Sequence, residues 1–264
     1  MVFDSNSLRD RDTLTHSELG QVDLVSCITA RYLPNLRYLA RITEVDRAVI
    51  LDLAPMPDRN RLSFINRNRI VNKTVKGPQW LTVPLERVRG EATRDVLVDR
   101  TNKRWLARHE RAIRSNYPSH AIVSPGFVEG LFETLRGHDG SLLDVNLRSL
   151  RFLCDTLSIA VDPIVLESAC TNSHDKRHRL SIAKHYRARA YIAGTHEWAL
   201  MEANGELNQF KAANIAVNTS TTPRHLDHSL IVELSSVHAI CTLGVPPVRE
   251  LLALLATRPQ LSRD

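Results

Sequence analysis

The stretch Asp23–Leu53, which reads DLVSCITARYLPNLRYLARITEVDRAVILDL, decides the fold class. Asp23–Ile28 and Ala48–Leu53 are short apolar runs of the kind that form buried strands. Between them, the apolar residues of Leu36–Val45 recur at helical spacing and make one apolar face. A strand, a helix and a strand joined by short links are typical of a parallel sheet with a right-handed crossover. We therefore predict an α/β fold.

The remainder of the chain adds further elements and contains no internal repeat and no clear linker. An Asn- and Arg-rich loop is predicted over Asp58–Asn72. The predicted strands are Trp80–Leu85, Asp95–Val98 and Ala190–Ala193. The predicted helices are Thr101–Asn116, Val145–Leu157, Lys176–Ala188 and one or two within Leu230–Leu255, separated near Gly244. We expect residues 1–20 to be a disordered leader and residues 21–258 to be a single domain with a helical insertion around residues 120–160.

Length and composition exclude several classes of protein. The chain has 264 residues, of which 43% are hydrophobic and 24% charged, so it is long enough to bury a sizeable core. A disulfide miniprotein, a collagen-like array and a mostly disordered chain are excluded. No run of eighteen apolar residues occurs, which predicts no membrane insertion, and the polar first twenty residues do not resemble a signal peptide. Four scattered cysteines without CxxC spacing favour a cytoplasmic location.

The charge balance favours an anionic ligand. There are 35 basic and 29 acidic residues, a net charge of +6, and 29 of the basic residues are arginine. Arginine presents a planar fork that matches carboxylate and phosphate groups. The positive charges are spread along the chain, however, and aromatic residues make up only 5%, which leaves few stacking platforms for single-stranded nucleic acid. Nucleic-acid binding as the main function is therefore disfavoured.

Searches for common catalytic and cofactor motifs exclude several enzyme classes. The sequence contains no GxxxxGK[ST], GxGxxG, HExxH, EF-hand or GxSxG motif. P-loop ATPases, NAD enzymes of the usual kind, zincins and α/β-hydrolases are thus removed from the leading candidates. Use of ATP by another fold stays open, and no metal site is predicted.

The stretch Phe64–Leu85, FINRNRIVNKTVKGPQWLTVPL, carries a resemblance to a known family. It contains NRNRI at Asn66–Ile70 and QWLTVP at Gln79–Pro84, and both blocks are similar to the signature of the bacterial WbqC-like family. Trp105–Tyr117 has that family's spacing W-x-x-[KR]-H-x-x-x-I-x-x-x-Y, and Tyr191–Gly194 is similar to its Y-L-S-G strand end. The resemblance covers roughly residues 22–255 and is most specific in the central block.

The resemblance implies a fold and a class of reaction. The implied fold is a Rossmann-like, nucleotidylyltransferase-like, mostly parallel sheet with helices on both faces. Family members occur with genes for O-antigen and specialised-metabolite biosynthesis, which implies a transferase that puts an acyl or aminoacyl group on an amine. The implied substrate is an amino sugar or another small metabolite amine, and the aminoacyl group could come from charged tRNA. An aminoacyl-tRNA-dependent aminoacyltransferase is therefore one alternative.

One family motif is altered in this chain. The family segment H-Q-P-x-Y-x-P-x-x-G-Y corresponds to the stretch from Ile28 to Tyr38, in which Tyr32, Pro34 and Tyr38 are kept. The family His, Gln, first Pro and Gly are replaced by Ile28, Thr29, Ala30 and Arg37. An isoleucine cannot contact phosphate or transfer a proton. A degenerate, non-catalytic member that binds a metabolite or a partner enzyme is thus a second alternative.

The NRNR segment is the main candidate for substrate binding. Two arginine forks and two amides at Asn66, Arg67, Asn68 and Arg69 make a rim that suits an anion or a sugar. We expect Arg67 and Arg69 to hold an anionic group, with Asn66, Asn68 and Gln79 orienting the acceptor. The retained Tyr32 joins this substrate-binding set. Trp80 is expected to be a core residue, because large aromatic side chains dominate core burial.

Two histidines are candidates for the general base that accepts a proton from the attacking amine. His109 shares a helix face with Trp105 and Ile113, and both a structural and a catalytic role stay open for it. His196 follows Gly194 and Thr195, where a predicted strand ends and a helix begins. Ligands of open α/β sheets gather at that edge, so Gly194, Thr195 and His196 are candidate site residues.

Other reactive side chains have less support. Cys27 is expected to be a small buried residue rather than a nucleophile. His238 and Cys241 are three residues apart on a predicted helix and could form a dyad, but no third orienting group is evident. His174 and His178 have the i, i+4 spacing of a metal clamp, yet the cations between them oppose that role.

Overall fold

The computed structural model describes residues 22–57, 63–86, 88, 90–160, 164–171, 178–220 and 229–256. The predicted leader over residues 1–20 lies outside these ranges. The strands are β1 (Leu24–Ile28), β2 (Arg47–Ile50), β3 (Arg67–Ile70), β4 (Gln79–Thr82), β5 (Ile164–Leu166), β6 (Ala190–Ala193) and β7 (Ala216–Thr219). The helices are α1 (Leu36–Thr43), α2 (Trp105–Asn116), α3 (His120–Val123), α4 (Phe127–Arg136), α5 (Leu142–Leu157), α6 (His178–His185), α7 (Thr195–Ala203), α8 (Glu206–Ala212), α9 (Leu230–Glu233), α10 (Ser236–Leu243) and α11 (Val245–Leu255).

Five strands form one parallel sheet, which confirms the predicted α/β fold. Their order is β5-β2-β1-β6-β7, and Cys27 pairs with Val49 while Val25 pairs with Tyr191. The chain runs outward from β1 through β2 to β5, and then places β6 and β7 on the other side of β1. The direction of winding therefore reverses between β1 and β6, the position at which open α/β sheets usually bind ligands.

Alternation along the strands divides the core between the two faces of the sheet. Leu24 and Ile28 of β1 belong to one apolar cluster, and Val25 and Cys27 belong to the other. The first cluster includes residues of α1, α5, α10 and α11, and the second includes residues of α6, α7 and α8. Because successive side chains of a strand point to opposite faces, helices cover both sides of the sheet, as the resemblance implied.

Helix α1 begins where its sequence supplies a cap. The side chain of Asn35 accepts a hydrogen bond from the backbone nitrogen of Tyr38 at 3.1 Å, which satisfies one of the free amides of the first turn. The apolar positions Leu36, Leu39 and Ile42 are buried against the sheet. The helix thus fixes the path of the segment between β1 and β2.

The helical parts of the chain follow the prediction with shifted boundaries. Helix α2 begins at Trp105 rather than Thr101, and α3, α4 and α5 make up the insertion expected around residues 120–160. The predicted C-terminal helical region contains three helices, α9, α10 and α11, with Gly244 separating the last two. Across the described residues, no helix combines the length and apolar character that crossing a membrane requires.

Strands β3 and β4 form a separate antiparallel hairpin, so the predicted loop over Asp58–Asn72 is wrong for Arg67–Ile70. In its register, Arg67 lies opposite Thr82 and Arg69 lies opposite Trp80. The strand escaped prediction because its buried positions alternate between a polar and an apolar residue, Asn68 and Ile70. An apolar alternation, which is the usual signal of a half-buried strand, is therefore absent.

The predicted strand Asp95–Val98 is also wrong. A 3₁₀ turn covers Thr93–Asp95, and only isolated bridges follow, from Val98 to Leu85 and from Leu97 to Ser141. Strands β5 and β7 were not predicted. Each has only three or four residues, too few for a clear pattern.

Candidate functional site

The two faces of the β3–β4 hairpin have different chemistry. Asn68 and Leu81 are buried, whereas Arg67 and Arg69 are partly exposed and Trp80 is exposed. Strand alternation explains the division, because neighbouring residues of a strand point to opposite faces. The side chains of Arg67, Arg69 and Trp80 therefore share the outer face of the hairpin, and those of Asn68 and Leu81 share the inner face.

Guanidinium groups and aromatic rings are interleaved on the outer face. The Cζ atom of Arg67 lies 4.7 Å from the centroid of the Trp80 ring. The Cζ atom of Arg69 lies 5.5 Å from the ring centroids of both Trp80 and Phe64. The Cζ atom of Arg31, which follows β1, lies 5.9 Å from the Phe64 ring. We refer to Arg31, Phe64, Arg67, Arg69 and Trp80 as the arginine–aromatic platform.

The arginines of the platform have no carboxylate partner in the part of the chain that the structure describes. Within the described residues, Arg31, Arg67 and Arg69 form no ion pair, and the buried Nε of Arg69 has no hydrogen-bond acceptor. The Nε of Arg67 donates to the carbonyl oxygen of Ser63 at 3.2 Å. Burial lowers the pKa of Arg31, and the positive charge of Arg41 lowers it further. The platform is thus a group of cations that an anion would stabilise.

Trp80 does not occupy the core, which corrects the prediction made for it. Its side chain is 37% exposed, although Phe64 packs against it with ring centroids 5.8 Å apart. The reason is its position in the hairpin, since it lies opposite the outward-facing Arg69 rather than opposite a buried residue. The indole therefore extends the platform toward solvent.

A cavity of about 310 Å³ adjoins the platform. Arg67 and Asn66 line it on the hairpin side, together with Ser63 and Thr82. The remaining lining residues are mostly apolar: Met56, Pro57, Val83, Pro84, Leu85 and Val88. This part of the structure can therefore accept a group that is apolar at one end and anionic at the other.

The amides predicted to orient an acceptor have partners within the protein. Asn68 is buried, and its Nδ2 donates to the carbonyl oxygens of Leu33 at 2.6 Å and Tyr32 at 3.3 Å. The Nδ2 of Asn66 donates to the carbonyl oxygen of Val83, and the side-chain oxygen of Gln79 accepts from Asn116. The Asn68 bonds hold the hairpin against the segment that follows β1, the Asn66 bond lies within the hairpin region, and the Gln79 bond joins the hairpin to α2.

Tyr32 and His109 form a buried pair beneath the hairpin. The Tyr32 hydroxyl and His109 Nδ1 are 3.0 Å apart, and both residues contact the Trp105 ring. Burial, aided by the charge of Arg108, lowers the pKa of His109 to about 4. The imidazole is therefore neutral at physiological pH and is enclosed by protein.

The crevice between β1 and β6 is filled by a buried charge network. Arg41 pairs with Glu197, Arg179 pairs with Glu197 at 2.8 Å, and Arg179 also pairs with Glu206 at 3.1 Å. Burial alone would raise the pKa of Glu197, but the charges of Arg41 and Arg179 outweigh it and the pKa is lowered. Arg41 is further held by the carbonyl oxygen of Ile192 at 2.8 Å. These arginines have carboxylate partners, unlike those of the platform.

Gly194, Thr195 and His196 lie at the carboxyl end of β6, as predicted. A Cβ atom at Gly194 would lie 3.0 Å from Nη1 of Arg41, so glycine permits the close approach of that guanidinium. Thr195 and His196 open α7 and are exposed. His196 precedes Glu197, whose charge acts on Arg31 of the platform. Of the two predicted histidines, His196 is the one accessible from solvent.

The remaining reactive side chains are buried or lie outside the described residues. Cys27 is 2% exposed, and burial raises the pKa of its thiol. Burial raises the pKa of Cys241 to about 12, and Nδ1 of His238 lies 3.0 Å from the Tyr117 hydroxyl. His174 is outside the described ranges. Within those ranges, no group of three or more His, Cys, Asp or Glu residues is arranged to hold a metal ion.

Sequence reasoning found Arg67 and Arg69 but missed the rest of the platform. A period of two residues in RNRI and QWLT would have placed Trp80 beside them. Phe64 adjoins the same block. For Arg31 and for the Arg41–Glu197 pair, the sequence contains no local signal, because their contacts join segments far apart in the chain.

The residues that replace the family's His and first Pro are part of the core. Ile28 is 4% exposed and Ala30 is 1% exposed, and both belong to the larger apolar cluster. Neither side chain can reach a ligand. Any ligand contact in this region must therefore come from other residues, such as the partly exposed Thr29 and Arg31.

Comparisons with known proteins identify the family of the chain. Residues 30–229 match the sequence model of the WbqC-like protein family. An uncharacterized protein of Mycobacterium tuberculosis, Rv1507c, is 33% identical over 146 residues, which are 52% of this chain and 57% of that protein. The aligned part thus spans little more than half of this curated relative. No solved structure matches the chain. On the strength of the match over residues 30–229, the chain belongs to the WbqC-like protein family.

Proposed function

We propose that this protein is a cytoplasmic biosynthetic transferase that joins an acyl or aminoacyl group to an amine of an amino sugar or another small metabolite. The observation that carries the proposal is the outer face of the hairpin, where Arg67 and Arg69 lie beside a cavity and find no carboxylate partner among the described residues. Family membership supports a biosynthetic role. The four cysteines are free thiols, which is consistent with a reducing compartment.

In this proposal the platform and the cavity bind different parts of the acyl donor. Arg67 and Arg69 hold the anionic part of the acyl donor through charge-assisted hydrogen bonds. The half-apolar cavity, lined by Val83, Leu85 and Val88 among others, receives the acyl portion. Binding both ends of the donor fixes the position of its carbonyl carbon, which lowers the entropic part of the barrier.

The transfer itself forms one bond and breaks another. The amine nitrogen attacks the carbonyl carbon of an activated acyl ester or thioester, and the oxygen or sulfur atom of the donor leaves with the bonding electron pair. The proton released by the nitrogen goes to a general base. We assign this base to His196, because it is exposed at the carboxyl edge of the sheet. His109, which is buried against Tyr32, instead positions the segment beneath the hairpin.

The test is formation of an amide product by the purified protein. Activated acyl and aminoacyl donors are incubated with amino sugars, and products are identified by mass spectrometry. We expect an amide product with the wild type, loss of at least 100-fold of the rate in Arg67→Ala/Arg69→Ala, and little change in Arg104→Ala/Arg111→Ala. This control removes two exposed arginines of the α2 region and the same charge. Equal rates in the two double variants would contradict the proposal.

A non-catalytic binding role is the second candidate, and one observation favours it. Ile28 and Ala30, which replace the family's His and first Pro, are buried, so neither of these two side chains can act on a substrate. Under this alternative, the wild type binds an anionic metabolite through Arg67 and Arg69 but forms no product. His196→Ala distinguishes a transferase from a binding protein. If the protein is a transferase, the substitution slows amide formation; in either case it leaves binding of the anionic metabolite unchanged.

A further inference from the structure

We infer that the arginine–aromatic platform binds a nucleoside phosphate, with the phosphate groups on the arginines and the base stacked on the exposed indole of Trp80. The inference deepens the proposed function, because it names the class of substrate or donor held at the same site. It is tested by binding alone. Failure of amide formation and failure of nucleotide binding are therefore separate results.

The number of unpaired charges indicates phosphate rather than a single carboxylate. Arg31, Arg67 and Arg69 are linked through the rings of Phe64 and Trp80, and none of them has a carboxylate partner among the described residues. Three like charges in one group repel each other, and one carboxylate would neutralise only one of them. A phosphate or diphosphate group carries two or more negative charges, and the planar guanidinium fork matches its oxygen atoms.

The aromatic half of the platform indicates a planar ring in the ligand. Trp80 keeps 37% of its surface exposed even though Phe64 and two guanidinium groups pack around it. An exposed indole beside arginine is the arrangement on which nucleobases stack, and every base has a face that suits it. A simple phosphorylated sugar would contact the arginines through its phosphate and would leave the indole of Trp80 exposed to solvent.

The position of the platform is consistent with the filled crevice between β1 and β6. The usual ligand position of an open α/β sheet is occupied here by the side chain of Arg41, paired with Glu197 and bonded to the carbonyl oxygen of Ile192. Arg31 is close enough to this network for the charges of Arg41 and Glu197 to shift its pKa. The cationic surface therefore begins at the carboxyl edge of β1 and extends onto the hairpin.

Isothermal titration of the full-length protein tests the inference. The probes are the four common ribonucleoside diphosphates, inorganic pyrophosphate, uridine and a twelve-nucleotide single-stranded RNA, all without added metal. We expect at least one nucleoside diphosphate to bind about 10-fold more tightly than pyrophosphate or uridine, because only it uses both halves of the platform. If the RNA binds more tightly than the nucleotides and its affinity falls steeply with salt, the source of the nucleoside phosphate is RNA.

Variants separate the two halves of the platform. We expect Trp80→Ala to reduce the affinity for the nucleoside diphosphate about 10-fold and to leave pyrophosphate binding unchanged. Arg67→Ala/Arg69→Ala should reduce both affinities at least 100-fold, and Arg67→Lys/Arg69→Lys, which keeps the charge, should reduce them less. Circular dichroism verifies that each variant is folded, and Arg104→Ala/Arg111→Ala is the matched control.

Three results would overturn the inference. The first is absence of binding by all of the nucleoside diphosphates. The second is equal affinity for pyrophosphate and the nucleotides, which would remove the role of Trp80. The third is an affinity that survives the Arg67→Ala/Arg69→Ala double substitution. If nucleotide binding holds but no amide product is detected, the inference stands and the proposed transferase reaction does not.

Discussion

Two groups of arginines in this protein show how the surroundings of one side chain decide its role. In the crevice between β1 and β6, Arg41 and Arg179 are paired with Glu197 and Glu206 and are largely buried. On the hairpin, Arg67 and Arg69 rest on aromatic rings and have no carboxylate partner within the described ranges. Removing the partner of a buried arginine destabilises the fold because it leaves an uncompensated charge, whereas an arginine without a carboxylate partner is available to bind an anion. Substitutions in the first group should therefore reduce stability, and substitutions in the second should reduce ligand binding.

The largest expected effect comes from breaking the buried network. Glu197→Gln removes the charge that both Arg41 and Arg179 use; the described residues then offer Arg41 no carboxylate partner and leave Arg179 with Glu206 alone. We expect a loss of about 3–5 kcal/mol in the free energy of unfolding, measured by urea denaturation. The control is Glu129→Gln, which breaks the exposed pair with Arg114 and should cost less than about 1 kcal/mol. Equal losses of unfolding free energy in the two variants would mean that the buried ion pairs matter no more to stability than the exposed one.

The next effect is a pH dependence that arises beneath the hairpin. The pKa of His109 is about 4 in the folded protein, whereas the ordinary value is 6.5. Between these values the unfolded chain binds a proton that the folded protein does not, so stability is complete above pH 6.5 and falls as the pH decreases toward 4. The full contribution is about 3 kcal/mol.

Urea denaturation at a series of pH values measures this contribution. His109→Gln should reduce the slope of stability against pH between 6.5 and 4. His196→Gln, which replaces an exposed histidine, is the control variant. An unaltered slope in His109→Gln would show that the histidine is not held neutral by its burial.

A smaller difference in stability is expected between substitutions on the inner and outer faces of the hairpin. Asn68→Ala leaves the carbonyl oxygens of Tyr32 and Leu33 without their donor, and we expect a loss of about 2 kcal/mol. Arg69→Ala, one residue further along the same strand, should cost less than about 1 kcal/mol. Thermal unfolding followed by circular dichroism compares them. A greater loss in Arg69→Ala than in Asn68→Ala would mean that the outer face, and not the inner one, holds the hairpin in place.

The sequence predicts the three central strands of the parallel sheet well and strand β3 of the hairpin poorly, for a physical reason. Strands β1, β2 and β6 are buried on both faces, so they appear as continuous apolar runs that need no knowledge of their neighbours. Strand β3 is buried on one face only and places Asn68 there, because the bonds of its amide go to the segment after β1. Because this buried position holds a polar residue, the sequence of β3 does not show the alternation of apolar and polar residues that indicates a half-buried strand.

The sequence predicts those parts of the candidate site whose residues are close together in the chain, and misses the parts that distant segments form. Arg67 and Arg69 lie in one block of the family signature and Trp80 in the other, and a period of two residues in each block is the signal for their shared face. The contact of Arg31 with Phe64, and the filling of the crevice by Arg41, depend on the folded path of distant segments. Neither could be derived from spacing in the sequence.

The central claim is that Arg67 and Arg69 are available to bind an anion. Its most direct test is the unfolding temperature of the wild type and of Arg67→Ala/Arg69→Ala as inorganic pyrophosphate is added. A ligand that binds only the folded state raises this temperature in proportion to the logarithm of its concentration, once it exceeds the dissociation constant. We predict that the midpoint of the wild type rises with pyrophosphate while that of the double variant stays constant. The same rise in both proteins would contradict the account.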